Sequence, residues 1–205
     1  MKMLRSILVL AFSFQLLAFS CFAAGKSLLL DDFEGAISGG PEGTVDFGAG
    51  NGSAVDVTAN TEIKRSGVQS LKINYNAVFG GYIYVARGFG LVAKNTAWLV
   101  KPEDIDWKLY RAFSFYAYGT DSKTNIAFDI KDKGGEFWRF IFEDNFQGWK
   151  QIICPLDEFF VRTDWQPDNA DKNNTLDFPI MSFQFEPRPE ARGTLYIDQA
   201  ELVAK

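Results

Sequence analysis

No segment of the chain repeats apolar residues at the three- and four-residue spacing that an amphipathic helix needs. Short runs of alternating apolar and polar positions recur instead, divided by Gly, Asn, Asp and Pro, as expected of half-buried strands joined by turns. Ser27–Phe33 predicts an opening strand, and 54–59 a second one of small residues. Residues 70–75 put Leu71, Ile73 and Tyr75 on one face, and 81–87 puts Tyr82 and Tyr84 on one face. Residues 112–118 set Phe113 beside Phe115, and 125–131 line up Ile126, Phe128 and Ile130. Residues 136–143, a turn at 144–148, and then 149–154, 181–185 and 194–203 complete the series. Roughly ten strands with turns between them predict an all-β fold, an antiparallel β-sandwich of the jelly-roll kind. Its two sheets bury their apolar faces against each other, which accounts for the 20 phenylalanines. The first and last strands are both apolar enough to be buried and are expected to pair. Two stretches read as long loops, 91–107 with Trp98 and Trp107, and the Asp- and Asn-rich 161–178. Loops on a rigid sandwich are where function concentrates.

The first 23 residues read differently. Lys2 and Arg5 precede an apolar run from Ile7 to Phe19, and Cys21 and Ala23 supply small residues for cleavage after Ala23. This is the layout of a secretory signal, so the folded unit is expected over 24–205, exported to the periplasm or the extracellular space. The run is short for a membrane span, which needs about 20 apolar residues, and Phe19 stands where lipid attachment at Cys21 would want a small side chain. Setting aside Lys2 and Arg5 leaves 19 basic residues against 26 acidic ones, a charge of about −7. That balance repels nucleic acid and anionic membrane surfaces. Cys154 is then the one cysteine left. It lies in an apolar run and, in a chain with no histidine, has no imidazole to activate it, so a buried structural role is expected.

Three groups of residues carry candidate chemistry. The stretch Arg162-Thr163-Asp164-Trp165-Gln166-Pro167 gathers a guanidinium, a carboxylate, an indole and an amide. Sugars use this mixture, because planar charged groups pair with hydroxyls and aromatic faces accept the C–H side of a pyranose. The same residues also suit a loop in which Arg162 and Asp164 pair while Trp165 plugs the core. Tyr82 and Tyr84 fit a stacking platform or a core strand equally well. The acids at the chain ends, Asp32 and Glu34 near the start and Asp198 near the finish, would be drawn together if the end strands pair. Carboxylates so placed suit Ca²⁺; solvated charges on edge strands are the alternative. The carboxylate pairs Asp157 with Glu158 and Glu136 with Glu143 have nothing to set them around a cleft, which argues against a hydrolase. The Gly-rich stretch 48–52 follows no strand and opens no helix, and reads as turns rather than a dinucleotide site.

The opening Leu30-Asp31-Asp32-Phe33-Glu34-Gly35, the segments Gly135-Glu136-Phe137-Trp138 and Gly148-Trp149-Lys150-Gln151-Ile152, the 162–167 stretch and the ending around Tyr196-Ile197-Asp198 together resemble family 11 carbohydrate-binding modules. These are galactose-binding-like sandwiches, and the complex I intermediate-associated factors of the same superfamily share the Asp-Asp-Phe-Glu opening. The resemblance spans about 28–203. It implies a non-catalytic jelly roll whose concave face holds a β-glucan chain, with a structural Ca²⁺ and no enzymatic activity. The family's sugar-contacting arginine, aspartate and aromatic map onto Arg162, Asp164 and Trp165. Its cleft tyrosine maps onto Tyr82, with Tyr84 beside it, and a polar residue of the penultimate strand onto Gln184. Two positions depart. Pro187 stands where the family has a further stacking tyrosine, and the cleft aspartate has become Gly134, with Asp132 close by. The expected ligand is a polysaccharide or oligosaccharide and the expected state a monomer. A chain without an attached enzyme also fits an exported assembly protein that grips a protein partner with the same sandwich.

Overall fold

The computed structural model describes residues 26–205, which form two antiparallel sheets packed face to face. Twelve strands build them: β1 (Leu28–Asp31), β2 (Asp46–Gly50), β3 (Ala54–Asn60), β4 (Ser70–Ala77), β5 (Tyr82–Gly88), β6 (Tyr110–Thr120), β7 (Asn125–Lys131), β8 (Phe137–Glu143), β9 (Gln147–Pro155), β10 (Phe160–Val161), β11 (Ser182–Pro187) and β12 (Ala191–Ala204). One sheet runs β3-β4-β12-β6-β9, and β1 pairs with β12 beyond the end of β4. The first and last strands therefore pair as expected, with Leu28 opposite Leu202. The other sheet runs β10-β8-β7-β11-β5-β2.

Alternation decides which residues fill the space between the sheets. Phe113 and Phe115 of β6 point inward against Phe128 of β7 and Phe183 and Phe185 of β11, all fully buried. The Phe115 ring lies 4.8 Å from Phe128 and 4.9 Å, edge-on, from Phe185, a spacing at which aromatic pairs add to the gain from burial. The tryptophans of the 91–107 loop close one end of this core. Trp98 stacks on Phe183 at 5.6 Å, and Trp107 packs against Phe113 at 6.1 Å. Cys154 is fully buried among these groups, and burial pushes its thiol well above the usual range, as a structural cysteine requires.

Two strands escape the alternation pattern. β10 is only two residues long. β2 contains Gly48 and Gly50, which display no side chain to alternate, so the stretch reads as turns although only Asn51-Gly52 turns. Those glycines have a packing reason. β2 pairs with β5 in a register that sets Gly48 opposite Tyr84 and Gly50 opposite Tyr82. A Cβ on Gly50 would overlap the Tyr82 ring, and one on Gly48 would press on that of Tyr84. The bare backbone of β2 is thus the bed on which both rings lie.

Among the described residues no helix is long and apolar enough to cross a membrane. The expected secretory signal over 1–23, with Cys21, lies outside the described residues, and the first strand begins at Leu28.

Candidate functional site

The outward face of the second sheet is concave and carries the charged residues that alternation excludes from the core. By register, Asp46, Ala86, Gln184, Asp129, Arg139 and Phe160 form a row across all six strands. A cleft of about 640 Å³ opens over it, with Tyr82 and Tyr84 on one wall, Phe137 and Trp165 on the other, and Gln184, Glu186 and Arg162 between them. Of the residues singled out in the sequence, Tyr82, Tyr84, Arg162, Asp164, Trp165 and Gln184 meet here.

The two aromatic walls are open to solvent. Trp165 is 54% exposed and Tyr82 48% exposed. One side of the indole is occupied by the Arg162 guanidinium, 5.5 Å from the ring centre, and by the Phe137 ring at 5.7 Å. Trp165 therefore does not plug the core; it rests on a cation and a tilted aromatic ring and keeps a free surface.

Arg162 itself is a correction. The loop arrangement suggests a solvent-facing guanidinium, yet only 9% of its side chain is exposed. Its Nε donates to Asp164 Oδ1 at 2.8 Å, and the same group reaches Glu186 at 3.0 Å and Asp129 at 3.3 Å. Arg139 completes the network, forking onto both oxygens of Asp129 at 2.7 and 2.8 Å and onto Glu186 at 2.8 Å. Arg188 holds the outer oxygen of Glu186 at 2.6 Å. Three guanidiniums and three carboxylates thus balance beneath the cleft. Gln184 donates to Asp129 at 3.2 Å and is fixed by the same cluster.

The polar group offered to a ligand is the Asp164 carboxylate, 47% exposed. Partial burial pushes its carboxyl up, but the hydrogen bond and charge of Arg162 outweigh this and hold it below the usual range, so it stays an acceptor. Burial pushes Glu186 above its usual value in spite of Arg139 and Arg162. Arg139 is desolvated too, yet Asp129, Glu186 and Asp164 keep it firmly protonated. Asp129, Arg139 and Glu186 escaped the sequence reading. The available signal was alternation, since Asp129 sits outward between core residues Phe128 and Ile130, and Arg139 between Trp138 and Phe140.

Asp132 is not part of the cleft. It is buried, accepting from the Glu136 backbone N–H at 2.8 Å and the Trp138 indole N–H at 3.1 Å, and it organises the turn after β7. A Cβ on Gly134, the departed cleft position, would overlap the Asp171 carboxylate of the facing loop. Pro187 ends β11 opposite Ile126, buried, and offers the cleft no aromatic ring. The carboxylates considered for hydrolysis do not face each other across this cleft. Glu136 is buried and accepts from the Asn174 N–H, while Asp157 and Glu158 lie in an exposed turn.

The end-strand acids form a separate group. Asp198 is fully buried and its Oδ2 accepts from the N–H groups of Arg65 and Ser66, while its Oδ1 has no partner. Glu34 folds over the same loop and accepts from Val68 N–H with both oxygens, at 3.0 and 2.9 Å. Asp32 does not join them; its carboxylate is turned to the N–H of Glu34. Among the described residues no three His, Cys, Asp or Glu side chains form a metal-holding group.

The model of the family "Carbohydrate binding domain (family 11)" matches residues 20–205. The chain belongs to that family. The matched family is a carbohydrate-binding, non-catalytic domain. The chain is also similar to Endoglucanase H of Acetivibrio thermocellus, 26% identical over 189 residues, a match that covers 88% of this chain but 18% of that enzyme. In fold it is similar to the family 11 module of the cellulosomal cellulase Lic26A-Cel5E of Clostridium thermocellum, with a TM-score of 0.66, 22% identity, and 88% of this chain and 95% of that one covered. A second structure of a Clostridium thermocellum family 11 module holds a β-1,3-1,4-mixed-linked tetrasaccharide and matches with a TM-score of 0.65, 22% identity, and 87% and 95% covered.

Proposed function

We propose that this chain is an exported domain that binds a β-glucan-like polysaccharide in the concave cleft. The observation that carries the reading is the pairing of two solvent-open aromatic walls, Trp165 and Tyr82, across the half-exposed Asp164 carboxylate. In this reading pyranose rings lie against the indole and the tyrosine, and their hydroxyls donate to Asp164. Arg162 and Gln184 act from beneath, the first by holding Asp164 in place and the second at the cleft floor. The mixed-linked tetrasaccharide held by the structurally similar module supports a glucan as the ligand class. Affinity electrophoresis in gels containing soluble mixed-linkage β-glucan tests it. The expected result is clear retardation, and unchanged mobility across a panel of glucans would overturn the assignment.

Calcium belongs to the same proposal as a structural ion. The partnerless, buried Asp198 Oδ1 is a donor atom of the hard oxygen type that Ca²⁺ prefers, and Glu34 binds the adjoining loop. These two carboxylates, with backbone carbonyls, would hold it, and the ion would fasten the 63–69 loop to the end strands. At a hundredfold excess over the dissociation constant, binding contributes about 2.7 kcal/mol. That is roughly 5–10 °C in Tm for a chain of this size. Calorimetry in Ca²⁺ and in EDTA should show the rise, and Asp198→Asn and Glu34→Gln should abolish it. An identical Tm in both buffers speaks against the ion.

A further inference from the structure

The concave face carries a second exposed apolar step that the cleft does not use. Phe159, the residue before β10, points inward, 6.1 Å from the core ring of Phe128 and 5.8 Å from Phe140, so alternation turns Phe160 outward on the same side as Arg162. β8 does the same with Ile141, since Phe140 and Phe142 face the core. Phe160 stands opposite Arg139, and Ile141 is its diagonal neighbour two residues along β8. The two are 48% and 44% exposed. The core needs neither, and a phenylalanine and an isoleucine side by side on a ligand-binding face mark an interaction surface more strongly than single exposed apolar residues do. The sheet order sets them across the charged cluster from Tyr82 and Tyr84. Four strand spacings, from β5 through β11, β7 and β8 to β10, amount to roughly 19 Å.

Resting on the proposed glucan-binding function, we propose that Phe160 and Ile141 form an additional subsite for the same glycan, beyond the aromatic walls of the cleft and reached only by a chain longer than those walls hold. The chain would pass from the tyrosine wall over Asp164 and rest its next apolar sugar face on Phe160. The charged cluster between supplies fixed polar groups along the way, and the β10 edge leaves the path open at its end.

Isothermal titration of the wild type and of Phe160→Ala/Ile141→Ala with mixed-linkage trisaccharide, hexasaccharide and polymer tests the subsite. Both residues are exposed, so the double variant is expected to fold, and its thermal midpoint checks this. The trisaccharide should bind both proteins within about twofold. The polymer and hexasaccharide should bind the variant about tenfold more weakly, since an aromatic stacked on a flat ligand face contributes about 1–3 kcal/mol and 1.4 kcal/mol is tenfold. Equal affinities at every length overturn the subsite and leave the cleft assignment standing. So does a wild-type dimer in sedimentation that the variant lacks, since the step would then be a self-association surface. A wild type that binds no glucan at all removes the cleft assignment, and the subsite with it.

Discussion

Asp129→Ala is expected to destabilise the protein by about 3–5 kcal/mol, the cost of removing one partner from a buried ion pair. Asp129 is fully buried and accepts from Arg139 through both oxygens, from Arg162 and from Gln184. Its removal leaves the Arg139 guanidinium, itself 5% exposed, with Glu186 as its remaining buried partner. Asp129 and Arg139 are both buried, so the guanidinium loses its bidentate acceptor while its own desolvation remains. Urea unfolding followed by tryptophan fluorescence should show the midpoint falling with little change in slope. A loss below about 1 kcal/mol would mean that the cluster relaxes or hydrates, and that it does not hold the cleft floor rigid. Glycan affinity should fall in the same variant, because Arg162 loses a support and with it the fixed position of Asp164.

Trp165→Ala separates binding from stability in the opposite sense. The indole is more than half exposed and rests on Arg162 and Phe137 at the cleft rim. Stability should drop by about 1 kcal/mol or less, as for surface positions in general. Glucan affinity should fall by about 1–3 kcal/mol, the contribution of one stacked ring by analogy with stacked bases, or roughly 5- to 150-fold. Fluorescence titration of the wild type and calorimetric titration of the variant measure it. Equal affinity with a lowered unfolding midpoint would make Trp165 a packing residue and remove one wall of the proposed site.

The composition of the site was partly legible in the sequence. Arg162, Asp164 and Trp165 are neighbours in the chain, and Tyr82 and Tyr84 share a strand face through simple alternation, so both groups could be read locally. Asp132 misled for the opposite reason. It stands two residues before Gly134, where the resemblance implies a cleft acid, but the turn after β7 bends its carboxylate back to satisfy the N–H groups of Glu136 and Trp138. β2 was hidden because its glycines carry no side chain to reveal a face, although their smallness is what admits the tyrosine rings.

Alternation, turn residues and the phenylalanine content were enough, from the chain alone, to determine an antiparallel sandwich with paired end strands, since each depends on contacts within a few residues or on the simple need to bury one face. The tertiary structure decided that residues 129, 139, 162 and 186, drawn from three strands and a loop, would meet in one buried charge network. Which outward-facing residues become neighbours depends on the order and register of strands far apart in sequence. That register is set by how the whole core packs, and it is what turns a loop ion pair into the floor of a cleft.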